Sequence, residues 1–200
     1  MKDWIGNKNS IYTTLGASNH TDKERQQSDY YATDPIAVEL LLKEEDFSTD
    51  IWECASGENH LADALKEHGH NVRTSDIVKR TDTTEQYDFL SIDNTSWHGD
   101  IITNPPYRLA TEFIYKSLSI INNGNKVAMF LKVQFMEGKE RKHLFTNFPP
   151  KVIYISSSRI MCAKNGDFDK MKKGGGSAVA YAWYVWEKGY KGNTLVKWIN

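Results

Sequence analysis

The string Asn104-Pro105-Pro106-Tyr107 sets a side-chain amide, two rigid residues and an aromatic ring behind the apolar pair Ile101 and Ile102. An amine on a nucleobase is a poor nucleophile because its lone pair is delocalised into the ring. Acceptors aimed at its two hydrogens draw it towards tetrahedral geometry and favour the charge that develops during methyl transfer. The Asn104 side-chain oxygen and the Pro105 carbonyl are two such acceptors on adjacent residues. Proline at 105 and 106 fixes φ twice and restricts the residue before each, which holds Asn104 extended and leaves the Pro105 carbonyl few directions. Tyr107 adds a ring on which a base could stack once it has left a duplex. Taken singly, the same residues also suit a stiff turn after a buried strand.

A second group lies upstream in "ECASGEN", where Glu53 closes an apolar run and Ala55, Ser56 and Gly57 are small enough to let a ligand approach the backbone. Asp76 ends the following strand, where a carboxylate can accept both hydroxyls of a ribose. The G-x-G-x-x-G pattern is absent, so a nucleoside without a pyrophosphate fits better than a dinucleotide. An ordinary βαβ turn with a solvated Asp76 fits the same residues. In "YDFL", Asp88 could accept a hydrogen bond from an adenine amine and Phe89 could offer a flat face. Those two equally suit a plain strand end with one residue outward and one in the core.

The elements that must position these groups follow from periodicity. Asp34 can cap and Pro35 suits the first position of a helix in which Ile36/Leu40, Ala37/Leu41 and Val38/Leu42 repeat at i, i+4. "DIWECASGENHLADALKEHGHNVRTSDIV" reads as strand, tight turn, helix stopped at Gly69, and strand. "QYDFLSI" and "DIITNPPY" each supply a strand end, and "TEFIYKSLSIINNGN" is an amphipathic helix ended by Asn and Gly. "KVAMFLKV" has no polar alternation before Lys132 and belongs in the middle of a sheet. A charged helix in "GKERKHLFTNF", a strand in "KVIYISS", an exposed flexible loop in "RIMCAKNGDFDKMKKGGGS" and a last buried strand in "AVAYAWYVWEK" complete the order. Alternating strands and helices predict a doubly wound, mostly parallel α/β sheet.

Composition sets the frame. The 200 residues suit one domain, residues 31–200, preceded by an arm at 1–30 whose polar composition buries little. A formal net charge of -1 excludes a uniformly basic nucleic-acid coat and leaves room for a local basic patch. Cys54 and Cys162, far apart and the only cysteines, point to a reducing cytoplasm. No apolar run approaches the length of a membrane span, so no membrane partner is expected. His60, His68 and His70 fall close together, but no cysteine or carboxylate spacing completes a metal site and none is expected.

The strings "YYATDP", "ECASGENHLADAL", "SDIV", "DFL", "ITNPPY", "KVAMFLKVQFMEGKER" and "AYAWYVWEKGYKG" occur in the order found in S-adenosylmethionine-dependent amino-methyltransferases that modify N6 of adenine in DNA. The chain resembles the small phage and prophage members of that family over about residues 18 to 200. The resemblance implies a Rossmann-like class I methyltransferase fold of seven strands with the last antiparallel, S-adenosylmethionine as cofactor and double-stranded DNA as partner. It places Thr33 and Pro35 near the methionine part of the cofactor, Glu53 to Gly57 in the first cofactor turn, and Asp76 on the ribose. It further places Asp88 and Phe89 at the cofactor adenine and Asn104 to Tyr107 in the catalytic loop. The family implies a bacterial or phage-infected cytoplasm. The sequence departs from the pattern at Asn59, where a second glycine would stand, and at Cys54, often a proline.

Lys139, Arg141 and Lys142, together with Lys164, Lys170, Lys172 and Lys173 in an insertion at about 157–177, are candidate phosphate contacts. As isolated charges they equally suit solvated surface. An RNA base or a protein glutamine also presents a delocalised NH2, and a module that binds without turnover is a further alternative.

Overall fold

The computed structural model describes residues 31–93, 95–164, 168 and 179–200. The arm at 1–30 and the candidate contacts Lys170, Lys172 and Lys173 lie outside the described residues. So does most of the 157–177 insertion.

The chain begins with β1 (Tyr31–Thr33) and α1 (Ile36–Leu42). Pro35 stands just before α1 in helical geometry, and the Asp34 carboxylate accepts the Ile36 N–H at 3.2 Å, so the expected start holds. Then follow β2 (Asp50–Glu53), α2 (His60–Glu67), β3 (Asn71–Asp76), β4 (Glu85–Gln86) and β5 (Asp100–Thr103). After α3 (Ala110–Ile120) come β6 (Lys126–Lys132), α4 (Lys142–Asn147), β7 (Val152–Ser156), β8 (Cys162–Lys164), β9 (Tyr181–Glu187) and β10 (Leu195–Ile199).

Eight strands form the main sheet in the order β10-β7-β9-β6-β5-β2-β3-β4. All neighbours are parallel except β9, which runs antiparallel to both β6 and β7. The expected seven strands with an antiparallel last member are present, and β10 adds an eighth, parallel to β7. Two neighbouring residues on a strand face opposite sides of the sheet, and both sides are covered. Ile51, Ile102 and Phe130 pack with Val38 and Leu41 of α1 and Leu61 and Leu65 of α2. On the other side Trp52, Ile101 and Met129 pack with Phe113, Ile114 and Leu118 of α3. Burial on both faces is why the central strands are almost wholly apolar.

Three segments differ from the sequence reading. "QYDFLSI" is not a strand of ordinary length: β4 stops at Gln86, and Phe89–Ser91 forms a 3-10 turn that Asp88 caps by accepting the Leu90 N–H at 3.0 Å. The segment beginning at Arg159 is not all exposed loop, because Ile160, Cys162 and Ala163 are buried and β8 pairs antiparallel with β1. β10 was missed because Leu195, Val196 and Trp198 are exposed, so no burial pattern marks it.

Candidate active site

In open α/β sheets ligands bind beyond the carboxyl ends of strands where the strand order reverses. That point here is between β2 and β5, since β3 and β4 extend the sheet one way and β6 the other. A cavity opens there, lined by residues from the end of β2 and from the loops that follow β2 and β5.

The turn after β2, the expected cofactor turn, forms one wall. Glu53, Ala55 and Ser56 line the cavity, and Gly57 stands behind them with φ 54°, its N–H donating to Asp76 Oδ2 at 2.9 Å. Asp76 Oδ1 accepts the Val78 N–H at 2.9 Å and pairs with Arg80 Nη1 at 3.2 Å. Asp76 therefore fixes the turn and still faces the cavity. Asn59, where a second glycine was expected, has φ 70°. Asparagine tolerates this left-handed region better than most residues, and the side chain is also employed. Its Nδ2 donates to Thr81 Oγ1 at 2.8 Å and Thr83 Oγ1 at 3.0 Å, and its Oδ1 accepts from Thr84 Oγ1 at 3.1 Å. The departure from the glycine pattern thus clamps the turn to the 81–84 loop.

Burial raises the Glu53 carboxyl well above its usual range, and the nearby Asp76 charge adds to this. Glu53 is 2% exposed and its Oε2 has no hydrogen-bond partner among the described residues. Burial, then Glu53, likewise pushes the neighbouring Cys54 thiol up. Asp88 reaches the cavity with both oxygens already accepting, from Leu90 N and from Ser91 Oγ at 2.8 Å. Phe89 touches the cavity but is mainly core: its ring packs 5.3 Å from Trp52 and 5.1 Å from Phe113.

The opposite wall is the Asn104-Pro105-Pro106-Tyr107 segment leaving β5, and all four residues line the cavity. Asn104 Nδ2 donates to the Tyr31 carbonyl at 3.1 Å and to Thr33 Oγ1 at 3.0 Å. A carbonyl accepts only, so this bond fixes which end of the amide is which. Asn104 Oδ1 is left buried and without a partner among the described residues. The Pro106 carbonyl accepts the Leu109 N–H at 2.9 Å, closing the short turn that carries Tyr107. The Tyr107 ring lies 6.2 Å from Tyr31 and 6.0 Å from Tyr181, and the Lys132 ammonium sits 4.9 Å over it. Burial raises the Tyr107 phenol well above its usual range. It raises the Cys162 thiol beside it to about 12.

Of the expected cofactor residues, Thr33 lines the cavity and holds Asn104, whereas Pro35 is exposed, outside the lining, and starts α1. Lys139, Arg141 and Lys142 form a separate cluster after β6, and Lys164 closes β8 opposite Tyr31. His60 lines the cavity at the start of α2, while His68 and His70 bond to the Ala64 and Ser48 carbonyls. Among the described residues no three His, Cys, Asp or Glu side chains cluster to hold a metal, and no helix is long and apolar enough to cross a membrane.

Sequence reasoning missed Tyr31, Ile77 and Arg80. Arg80 stood four residues after Asp76 as a visible partner, and Ile77, 60% exposed in the cavity wall, is an apolar residue directly after Asp76. Nothing local marked Tyr31.

The cavity has two poles. Glu53, Asp76 and Asp88 face it with Arg80 as counter-charge, which suits a ligand carrying positive charge and a ribose. Asn104 lines it from the other side, its Oδ1 a buried acceptor without a partner among the described residues.

No protein-family model matches the sequence, and no curated protein matches it. Solved structures do. A candidate class I S-adenosylmethionine-dependent methyltransferase from Listeria monocytogenes is 14% identical with a TM-score of 0.60, covering 88% of this chain and 68% of its own. A predicted O-methyltransferase from Agrobacterium tumefaciens is 13% identical with a TM-score of 0.58, covering 82% and 85%. The modification subunit of a candidate type I restriction enzyme from Vibrio vulnificus is 12% identical with a TM-score of 0.54, covering 96% of this chain and 52% of its own. The chain has the Rossmann-like fold of class I methyltransferases.

Proposed function

We propose that this protein is an S-adenosylmethionine-dependent methyltransferase that acts on N6 of adenine in double-stranded DNA, receiving the flipped base at the Asn104–Tyr107 wall. The observation that carries the reading is Asn104: its Nδ2 is tied to Tyr31 and Thr33, and its buried Oδ1 has no partner among the described residues. A buried acceptor left unpaired is costly, and an amine entering the cavity relieves that cost.

The residues present fit the cofactor. Glu53 Oε2 is a buried acceptor without a partner, suited to a positively charged group, and Asp76 faces the cavity at the end of β3 for ribose hydroxyls. Ile77 supplies an apolar surface and Asp88 an acceptor for an adenine ring. When bound, the cofactor supplies an electrophilic methyl group on a sulfonium.

The chain's own part is orientation. Asn104 Oδ1 and the Pro105 carbonyl accept the two amine hydrogens and favour the pyramidal nitrogen, an interaction that strengthens as charge develops. The two prolines keep both acceptors fixed, so little reorganisation is required. Tyr107 offers the ring for the base, and a base on the face held by Lys132 displaces that ammonium. As the nitrogen–methyl bond forms the methyl–sulfur bond breaks, leaving a neutral thioether, and the acidified amine proton passes to water, so no strong base is needed.

Similarity to a restriction-modification subunit supports the choice of DNA over the alternatives of an RNA base or a protein glutamine. The intact Asn104–Tyr107 wall, with its unpartnered acceptor, weighs against a module that only binds. The test is transfer of labelled methyl from S-adenosylmethionine to unmethylated duplex DNA of varied sequence, with the product nucleoside identified by mass spectrometry. N6-methyladenine is expected. Label found only in RNA or protein, or in nothing, overturns the DNA reading.

A further inference from the structure

A second cavity lies on the other side of Tyr107, lined by Tyr107, Leu131, Lys132, Gln134, Phe135 and Arg141. Its charge is opposite to that of the first. The cofactor-side cavity gathers three carboxyl groups with one arginine, whereas this lining has two cations, an amide and no carboxylate. Among the described residues neither Lys132 nor Arg141 has a carboxylate partner, although five other pairs form within 4.0 Å.

Arg141 is held in place. Its Nε donates to the Phe135 carbonyl at 2.8 Å, its Nη2 donates to the Glu137 carbonyl, and the guanidinium lies 4.9 Å over the Phe135 ring. Gly138 makes room for it: φ is +119°, and a Cβ there would stand 2.9 Å from Arg141 Nη2. These contacts leave the Nη1 edge without a partner among the described residues. Lys132 is different, since among the described residues its ammonium is held only by the Tyr107 ring, a weak attachment at a part-exposed site. One fixed and one movable cation therefore flank a ring that a base is to occupy.

We propose that this second cavity binds a backbone phosphate of the nucleotide that presents the acceptor amine, with Arg141 as the fixed donor and Lys132 moving from the Tyr107 ring onto the phosphate. The inference rests on the methyltransferase reading and deepens it: the acceptor is a nucleotide within a polynucleotide. A glutamine side chain brings no anion to this place. Base stacking on Tyr107 and phosphate binding by Lys132 are then one exchange, because the ammonium vacates the face that the base takes.

The experiment measures binding of a labelled unmethylated DNA duplex, and separately of a single-stranded RNA, by fluorescence anisotropy over a range of salt. The proteins are the full chain, Lys132→Gln, Arg141→Gln and Arg141→Lys, the last retaining charge if the glutamine variant folds poorly. Methyl transfer and cofactor affinity are recorded alongside. Each lost phosphate contact lowers the slope of log K against log salt by about 0.9 on duplex DNA. The expected result is that drop for Lys132→Gln and Arg141→Gln, with about tenfold weaker DNA binding and unchanged cofactor affinity. A drop of about 0.7 on the single-stranded RNA alone assigns the phosphate to RNA and retains the subsite.

A wild-type slope in both glutamine variants overturns the subsite even if DNA is methylated. A reduced slope without methyl transfer to any acceptor, peptide included, leaves the subsite standing and overturns the enzymatic reading. No binding to either nucleic acid, or transfer only to a glutamine-containing peptide, overturns the subsite.

Discussion

Replacing Asn104 by alanine separates two roles that one side chain holds. In the proposed reaction the oxygen accepts from the amine, while the nitrogen ties the end of β5 to β1 through Tyr31 and Thr33. Loss of one preorganised hydrogen-bonding partner of a transition state costs about 10²–10³ in rate, or ~2.7–4 kcal/mol. Loss of the two ties costs ~0.5–1.5 kcal/mol each in stability, and only a fraction of that reaches the cofactor, because β1 is also held by β8. Asn104→Ala is therefore expected to lower the single-turnover methylation rate by about 10²–10³ and cofactor affinity by less than about tenfold. Thr33→Ala removes one tie but leaves Oδ1 in place, so its rate should stay within about fivefold of wild type. The assays are labelled methyl transfer under single-turnover conditions and calorimetry with the cofactor. Equal loss of rate and affinity in Asn104→Ala, or a Thr33→Ala rate as low as that of Asn104→Ala, refutes the assignment.

Glu53 gives a pH dependence with a definite sign. Its folded-state pKa is raised, so as pH climbs past the usual carboxylate range the unfolded chain loses this proton first and stability declines. Glu53→Gln should therefore melt higher than wild type by a margin that grows from pH 5 to pH 8; a margin independent of pH excludes an ionisable Glu53 as its cause. A positively charged cofactor should draw a proton off Glu53, seen as a binding enthalpy that varies with the ionisation enthalpy of the buffer. For the turn, Asn59→Gly keeps the left-handed backbone but loses three side-chain hydrogen bonds, and should cost about 1–3 kcal/mol in urea unfolding. Asn59→Ala should cost roughly 1 kcal/mol more for the positive φ, and equal values for the two variants count against strain at this position.

What could be read from the sequence was local chemistry. The Asn104–Tyr107 string, the small residues after Glu53 and the acid at Asp76 are each adjacent in the chain, and strand ends bring them to one cavity. The central strands were legible because burial on both faces leaves β6 and β9 nearly without polar residues. What was not legible depended on distant partners. β1 and β8 are three residues each and exist by pairing with one another across about 130 positions of sequence. The amide orientation of Asn104 is set by Tyr31, 73 residues away. Lys132 read as the point where a buried strand reaches solvent; only its place above Tyr107 shows it as a neighbour of the site.

The antiparallel β9 has a consequence for how the protein is made. It lies between β6 and β7, so those two strands have no contact as neighbours until residues 181–187 arrive. At ~5–20 residues per second on the ribosome, the 48 residues that separate β6 from β9 take roughly 2–10 s to synthesise. During that interval Val127 to Leu131 present an apolar strand with an open edge, the kind of surface that recruits strands from other chains. The half-made protein carries the Asn104–Tyr107 segment at the end of β5 beside that edge, and aggregation competes with folding until β9 fills the gap.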